Sequence, residues 1–311
     1  MLGTFLAALG VVGTMLVYAV PGFALVKTKM VKEESISAFA RLLMFVGSPC
    51  LVFTSVTRNT FSYELVKELL IAFVIIISIF LTGLLVFSLI FKRKKDDVRY
   101  RIYNLATTMA NCAFMGVPVL EALLPDYPEA VAVSAMASLA LNIIGWSLAS
   151  YIISQDKKYI RFDKILVNPA TIAFAIAIPF FLFGIGLPEF LGNAVSLFAK
   201  MTTPLCMLIM GMRLACVPIK GVFLQPMQYL IIAIKQIVIP LLTLLILLPL
   251  PLSPEIKSSI YIMMACPVAS VTLSFAEMIG KGQSTAANLV LLGTSLSIVT
   301  IPIMSMLIYL F

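Results

Sequence analysis

Residues 109–127 read MANCAFMGVPVLEALLPDY, which sets Asn111, Gly116 and Pro118 inside a run otherwise apolar enough for a membrane. A proline in a helix interior removes one hydrogen bond and clashes with the preceding turn. In hydrocarbon each freed backbone group costs several kcal/mol unless something else satisfies it. A spanning segment with an amide, a glycine and a proline so close together is therefore expected to break.

The surrounding composition makes the membrane reading secure. The chain of 311 residues is 61% hydrophobic and 12% charged, with a mean hydropathy of +1.09. Soluble domains carry about 25% charged residues, and about 20 apolar residues suffice for one spanning helix. The opening run, MLGTFLAALGVVGTMLVYAVPGFALVKTK, lacks a basic n-region and is longer than a signal-peptide core, so it reads as a retained first span. Apolar runs predict an all-α polytopic protein with ten spans at 3–26, 35–57, 65–91, 99–124, 129–154, 165–187, 190–213, 225–249, 255–278 and 285–310.

Several chemistries are disfavoured. The chain has no histidine, which removes the commonest general base and metal ligand. Its five cysteines are scattered and read as small apolar packing residues, with neither a disulfide frame nor a zinc site. No nucleophile has an evident base, so an enzyme is not expected, and neither cofactor nor metal is implied. The net charge of +8 is a matter of topology. Odd-numbered loops hold 16 lysines and arginines and even-numbered loops only Arg58, Lys67 and Lys257. That asymmetry places the basic loops in the cytoplasm and both termini outside, with affinity for anionic headgroups and not for nucleic acid.

Ten spans divide into two five-span halves, 1–154 and 165–311, which must enter the membrane with opposite orientation. Pro49 of the second span matches Pro204 of the seventh, and Pro118 of the fourth matches Pro267 of the ninth. Paired interruptions of this kind point to a transporter site near the bilayer midplane. If spans 4 and 9 break and cross at Pro118 and Pro267, their second halves present free N–H groups and positive dipole ends, which suits a small carboxylate. Those donors are expected from Val119, Leu120 and Glu121, and from Val268, Ala269 and Ser270. Asn111 is the leading binding residue, Asn142 a second amide, and Gly116 makes room for the crossing chain. Ser270, Thr272 and Ser274 add hydroxyls, which read first as helix glue because hydroxyls in spans often bond their own backbone. Glu121 is either a proton or cation carrier or a group at the outer mouth. Glu277 reads as an interfacial charge, and Arg41, Lys200 and Lys235 as snorkelling cations, with attraction of an anion as the alternative for the two lysines.

The segment NCAFMGVPVLEAL and the tail beginning ACPVASVTLSFAEM resemble the auxin efflux carrier family, as do VNPA opening the sixth span and PLCMLIMGMRLA in the seventh. The resemblance implies two inverted five-span repeats whose fourth and ninth helices cross at their prolines. It also implies a scaffold of spans 1, 2, 6 and 7, a transport domain of the other six, elevator-like movement and a homodimer through the scaffold. The family's carboxylate-binding asparagine maps to Asn111, and Asn142 matches an amide of its fifth span. SQDKKYIRFDK stands where the long plant exporters have a hydrophilic loop, which points to a bacterial member with a non-auxin substrate such as malonate or malate. The expected protein is thus a secondary carrier of a small organic anion in the plasma (inner) membrane. Sodium- or proton-coupled transport is the alternative carrier, and a membrane receptor or sensor the alternative from another class.

Overall fold

The computed structural model describes residues 1–216 and 225–311. Lys220, counted above in the seventh loop, lies outside the described residues. Among these, eight helices are long and apolar enough to cross a membrane. They are α1 (Leu2–Lys27), α2 (Glu33–Thr57), α3 (Tyr63–Ile90), α6 (Pro128–Ser154), α7 (Lys157–Phe183), α8 (Glu189–Cys216), α9 (Pro226–Leu247) and α12 (Gln283–Leu310). The segments expected as spans 4 and 9 are instead two pairs of short helices. The first pair is α4 (Val98–Thr108) and α5 (Cys112–Leu123), and the second is α10 (Pro254–Ala265) and α11 (Val271–Ile279).

Local chemistry explains several ends. Ser62 caps α3 by accepting from Leu65 N at 3.1 Å, and Asp97 caps α4 by accepting from Arg99 N at 2.9 Å. Asn168 accepts from Ala170 N at 2.9 Å and Pro169 takes the first helical position, so VNPA starts the regular part of α7. Three π turns, Leu43–Gly47, Cys112–Gly116 and Ile234–Val238, end two residues before Pro49, Pro118 and Pro240. Widening the turn lets the chain pass a residue that has no N–H and crowds the carbonyl four residues back.

Helices α1, α2, α7 and α8 pack on one another, while α3, α6 and α9 surround the short helices with α12. The α1–α8 crossing is a backbone contact: a methyl group on Gly22 would strike the Leu208 carbonyl, and one on Gly211 the Ala19 carbonyl. The basic segments gather at one end of the molecule. There Arg101 Nη1 donates to Ile153 O at 2.7 Å, Arg213 pairs with Glu277, Gly282 packs on Ile102, and Cys216 lies beside Lys27. At the other end Arg58 pairs with Glu121 at 2.9 Å, and Glu68 accepts from Ser253 N and Oγ at 2.7 and 2.9 Å.

Candidate functional site: a crossover of broken helices beside a cavity

The two breaks meet. Asn111 N donates to Pro267 O at 2.9 Å and Ala269 N donates to Met109 O at 3.0 Å, closing an isolated antiparallel bridge between Ala110 and Val268. Each short strand satisfies the other's backbone, which lets non-helical chain exist at this depth.

The crossing corrects one expectation. The first break lies at Met109–Asn111 and not at Pro118. Pro118 sits inside continuous helix because the π turn before it absorbs the missing hydrogen bond. Thr203 Oγ1 of α8 donates at 3.2 Å to Phe114 O, the carbonyl that Pro118 leaves without a helical donor. Pro267 does lie at its break, and Met263 O, four residues earlier, faces the Cys112 thiol at 3.8 Å.

The free donors shift accordingly. By helix geometry they belong to the first turn of α5, at Ala113, Phe114 and Met115, and not to Val119–Glu121. Ala269 is no longer a free donor, since Met109 O takes its N–H. Gly116 has the expected reason to be small: a Cβ there would lie 2.5 Å from Met263 Cε.

Two polar groups at the crossover have no partner within the protein. Asn111, the N-cap of the π turn, is 4% exposed and its Nδ2 is unsatisfied. Thr272, in the first turn of α11, is fully buried with an unsatisfied Oγ1. A buried donor without an acceptor is costly, and both stand at helix N-termini where an anion is favoured.

Two buried polar side chains of α9 also reach this region. Lys235 is fully buried and donates to Met264 O at 2.6 Å, so it does not snorkel. Gln236, also fully buried, donates to Gly293 O at 2.6 Å and accepts from Thr300 Oγ1 at 2.7 Å. A methyl group on Gly293 would lie 3.5 Å from Val268 Cγ2. Gln236 was not singled out from the sequence, although two adjacent long polar residues within an apolar run are a legible signal.

A cavity of about 670 Å³ lies between α1, α2 and α8 on one side and α5 on the other. Its walls include Thr14, Thr54, Thr203, Val117 and Pro118, and its rim carries the exposed Arg58, Glu121 and Lys200. Glu121 lines the cavity at the end away from the basic segments, tied to Arg58. Asn142 is engaged elsewhere. Its Oδ1 accepts from Asn168 Nδ2 at 3.3 Å, and it lines a small separate void with Ser138 and Thr171. Glu277 pairs with Arg213 at the basic end, and Arg41 is exposed and donates to Ser37 O at 3.4 Å. Ser270 is half-buried and Ser274 exposed.

Comparison with known proteins matches a family model described as membrane transport protein to residues 9–164 and again to 158–305. An uncharacterized transporter of Methanocaldococcus jannaschii is 24% identical over 205 residues. That alignment takes in 62% of this chain and 65% of the relative, so the chain spans just under two thirds of the length of the curated protein it matches.

Proposed function

The chain belongs to the membrane transport protein family, that of the auxin efflux carriers, and on that premise we propose that it is a secondary carrier of a small organic anion. The observation that carries this reading is Asn111. An amide buried at the N-terminus of α5 with both donor hydrogens unused offers what a carboxylate needs, which supports this reading. Thr272 adds an unsatisfied hydroxyl across the crossing, and a cavity lined by Val117, Pro118 and Thr203 lies along the same helix α5. Lys200 at the cavity rim, where Arg58 is neutralised by Glu121, leaves a net positive charge that attracts anions from solution.

The architecture proposed is ten spans in two inverted five-span repeats, counting α4–α5 and α10–α11 as one broken span each. Helix starts support it: Leu2, Val98 and Pro128 recur at Lys157, Pro254 and Gln283, 155 or 156 residues later. Arg58 with Glu121 and Arg213 with Glu277 repeat at the same spacing, at opposite ends. In this register Asn111, and not Pro118, corresponds to Pro267. Helices α1, α2, α7 and α8 form the scaffold, and the remainder moves against it as an elevator. With the basic end in the cytoplasm, the cavity opens to the outside and the conformation is outward-facing. The membrane is the plasma membrane, and substrates of the malonate or malate class fit two donors and a pair of helix N-termini.

Thermal unfolding of purified protein against a panel of mono- and dicarboxylates tests the reading. A ligand present at 100-fold its Kd stabilises the folded state by about 2.7 kcal/mol. The expected result is a rise with at least one small carboxylate in the wild type and none in Asn111→Ala. An equal rise in both proteins would remove the site from the crossover.

A further inference from the structure

Lys235 has an environment that anion binding alone does not explain. Its side chain is fully buried, and its ammonium donates to Met264 O at 2.6 Å. Met264 is in the last turn of α10, where carbonyls have no helical donors and the dipole is negative. Such a half-helix end is what a monovalent cation meets when it binds at a broken helix. The titratable groups facing the ammonium are the thiols of Cys112 and Cys266, and neither supplies a carboxylate to neutralise it. A buried charge is normally paired or coordinated, and here a backbone carbonyl takes the place of an acid. The π turn Ile234–Val238 holds Lys235 and Gln236 inward together, and Gln236 fixes that turn to α12 through Gly293 and Thr300.

We propose that the crossover contains a position for a monovalent cation and that the Lys235 ammonium fills it permanently, so that the protein needs no dissolved cation to hold the two half-helices in place or to balance an anion bound between them. The first consequence concerns the protein alone. The second, balance of the anion, rests on the carrier reading above, and the two separate experimentally.

The test is thermal unfolding of the wild type, Lys235→Ala and Lys235→Met in sodium, potassium, choline and propylammonium chloride at equal ionic strength. Propylammonium reproduces the atoms that the alanine variant lacks beyond Cβ, and 1-propanol is its uncharged control. The wild type is expected to unfold at the same temperature in every salt. Lys235→Ala is expected to unfold about 5 °C lower in choline, with recovery in sodium, potassium or propylammonium and none in 1-propanol. Lys235→Met fills the space without charge and is expected to show no recovery in any salt.

A wild-type protein stabilised by sodium over choline would overturn the proposal, and this arm requires no variant to fold. Equal recovery by propanol and propylammonium would also overturn it, by showing a packing role. Cation recovery in Lys235→Ala without any carboxylate effect on the wild type would leave the cation position standing and the anion carrier refuted. Carboxylate binding by the wild type with no cation recovery in the alanine variant would do the reverse.

Discussion

The two breaks meet at one bridge and are built differently. At Met109–Asn111 the helix parts without a proline, an amide stands at the break, and the proline comes later inside regular helix. At Cys266–Ser270 the proline is in the break and no amide is present, but a lysine from α9 reaches the carbonyls before it. The first break thus carries an amide with unused donors, and the second a lysine together with the unsatisfied hydroxyl of Thr272. The bridge between Ala110 and Val268 is what both share. A break is therefore set by the partner strand that satisfies its backbone, and proline is one way among others to vacate the helix.

That contrast can be broken at the prolines first. Pro267→Ala permits α10 to continue through the bridge, and transport in proteoliposomes is expected to fall at least about tenfold, equivalent to about 1.4 kcal/mol. Pro118→Ala lies in intact helix and is expected to retain most transport. Equal losses would mean that the two prolines are equivalent after all.

Packing at the crossing sharpens the comparison next. Gly116→Leu drives a side chain into Met263, and overpacking of this kind costs about 1–3 kcal/mol, readable as a lower unfolding temperature. A smaller effect is expected from Thr203→Val, about 0.5–1.5 kcal/mol, because Phe114 O loses its donor. In the Pro118→Ala background the new N–H can serve that carbonyl, so the loss from Thr203→Val should shrink. Strict additivity would detach Thr203 from the proline.

The paired ion bridges come last. Arg58→Gln and Arg213→Gln each break a partly exposed pair, and each is expected to change stability by less than about 1 kcal/mol. Smaller still is the pH response of the cap at α4. Arg99, bonded to Asp97 at 2.7 Å, holds that carboxyl below the usual carboxylate range. Its contribution is present above the ordinary carboxylate pKa and is lost as pH falls through the depressed one. Unfolding temperatures of wild type and Asp97→Asn should therefore converge in acid and differ slightly at neutral pH.

Much of this was legible in the sequence. Apolar runs located seven of the eight long helices to within a few residues, because hydropathy over a span's length averages out local detail, while α7 begins eight residues before its expected start at 165. VNPA announced its helix start, and Gly116 its tight contact. The position of the first break was not legible, since Met109–Asn111 contains no residue that forbids a helix. It is fixed by a strand some 160 residues away in the chain. Pro118 misled for the complementary reason: a π turn and the Thr203 hydroxyl, both invisible locally, repair the helix around it. Lys235 reads as a snorkelling cation by span position alone, and only the inward π turn buries it. Asn142 looked equivalent to Asn111 as a mid-span amide, yet it is engaged by Asn168.

The central claim is that the crossover, through Asn111, holds the transported anion. Uptake of labelled malonate and malate into proteoliposomes, wild type against Asn111→Ala at matched reconstitution, tests it most directly. The account predicts saturable wild-type uptake of at least one of these acids and a loss of about tenfold or more in the variant, the scale of a hydrogen bond to a charged group. Wild-type rates in Asn111→Ala would contradict it.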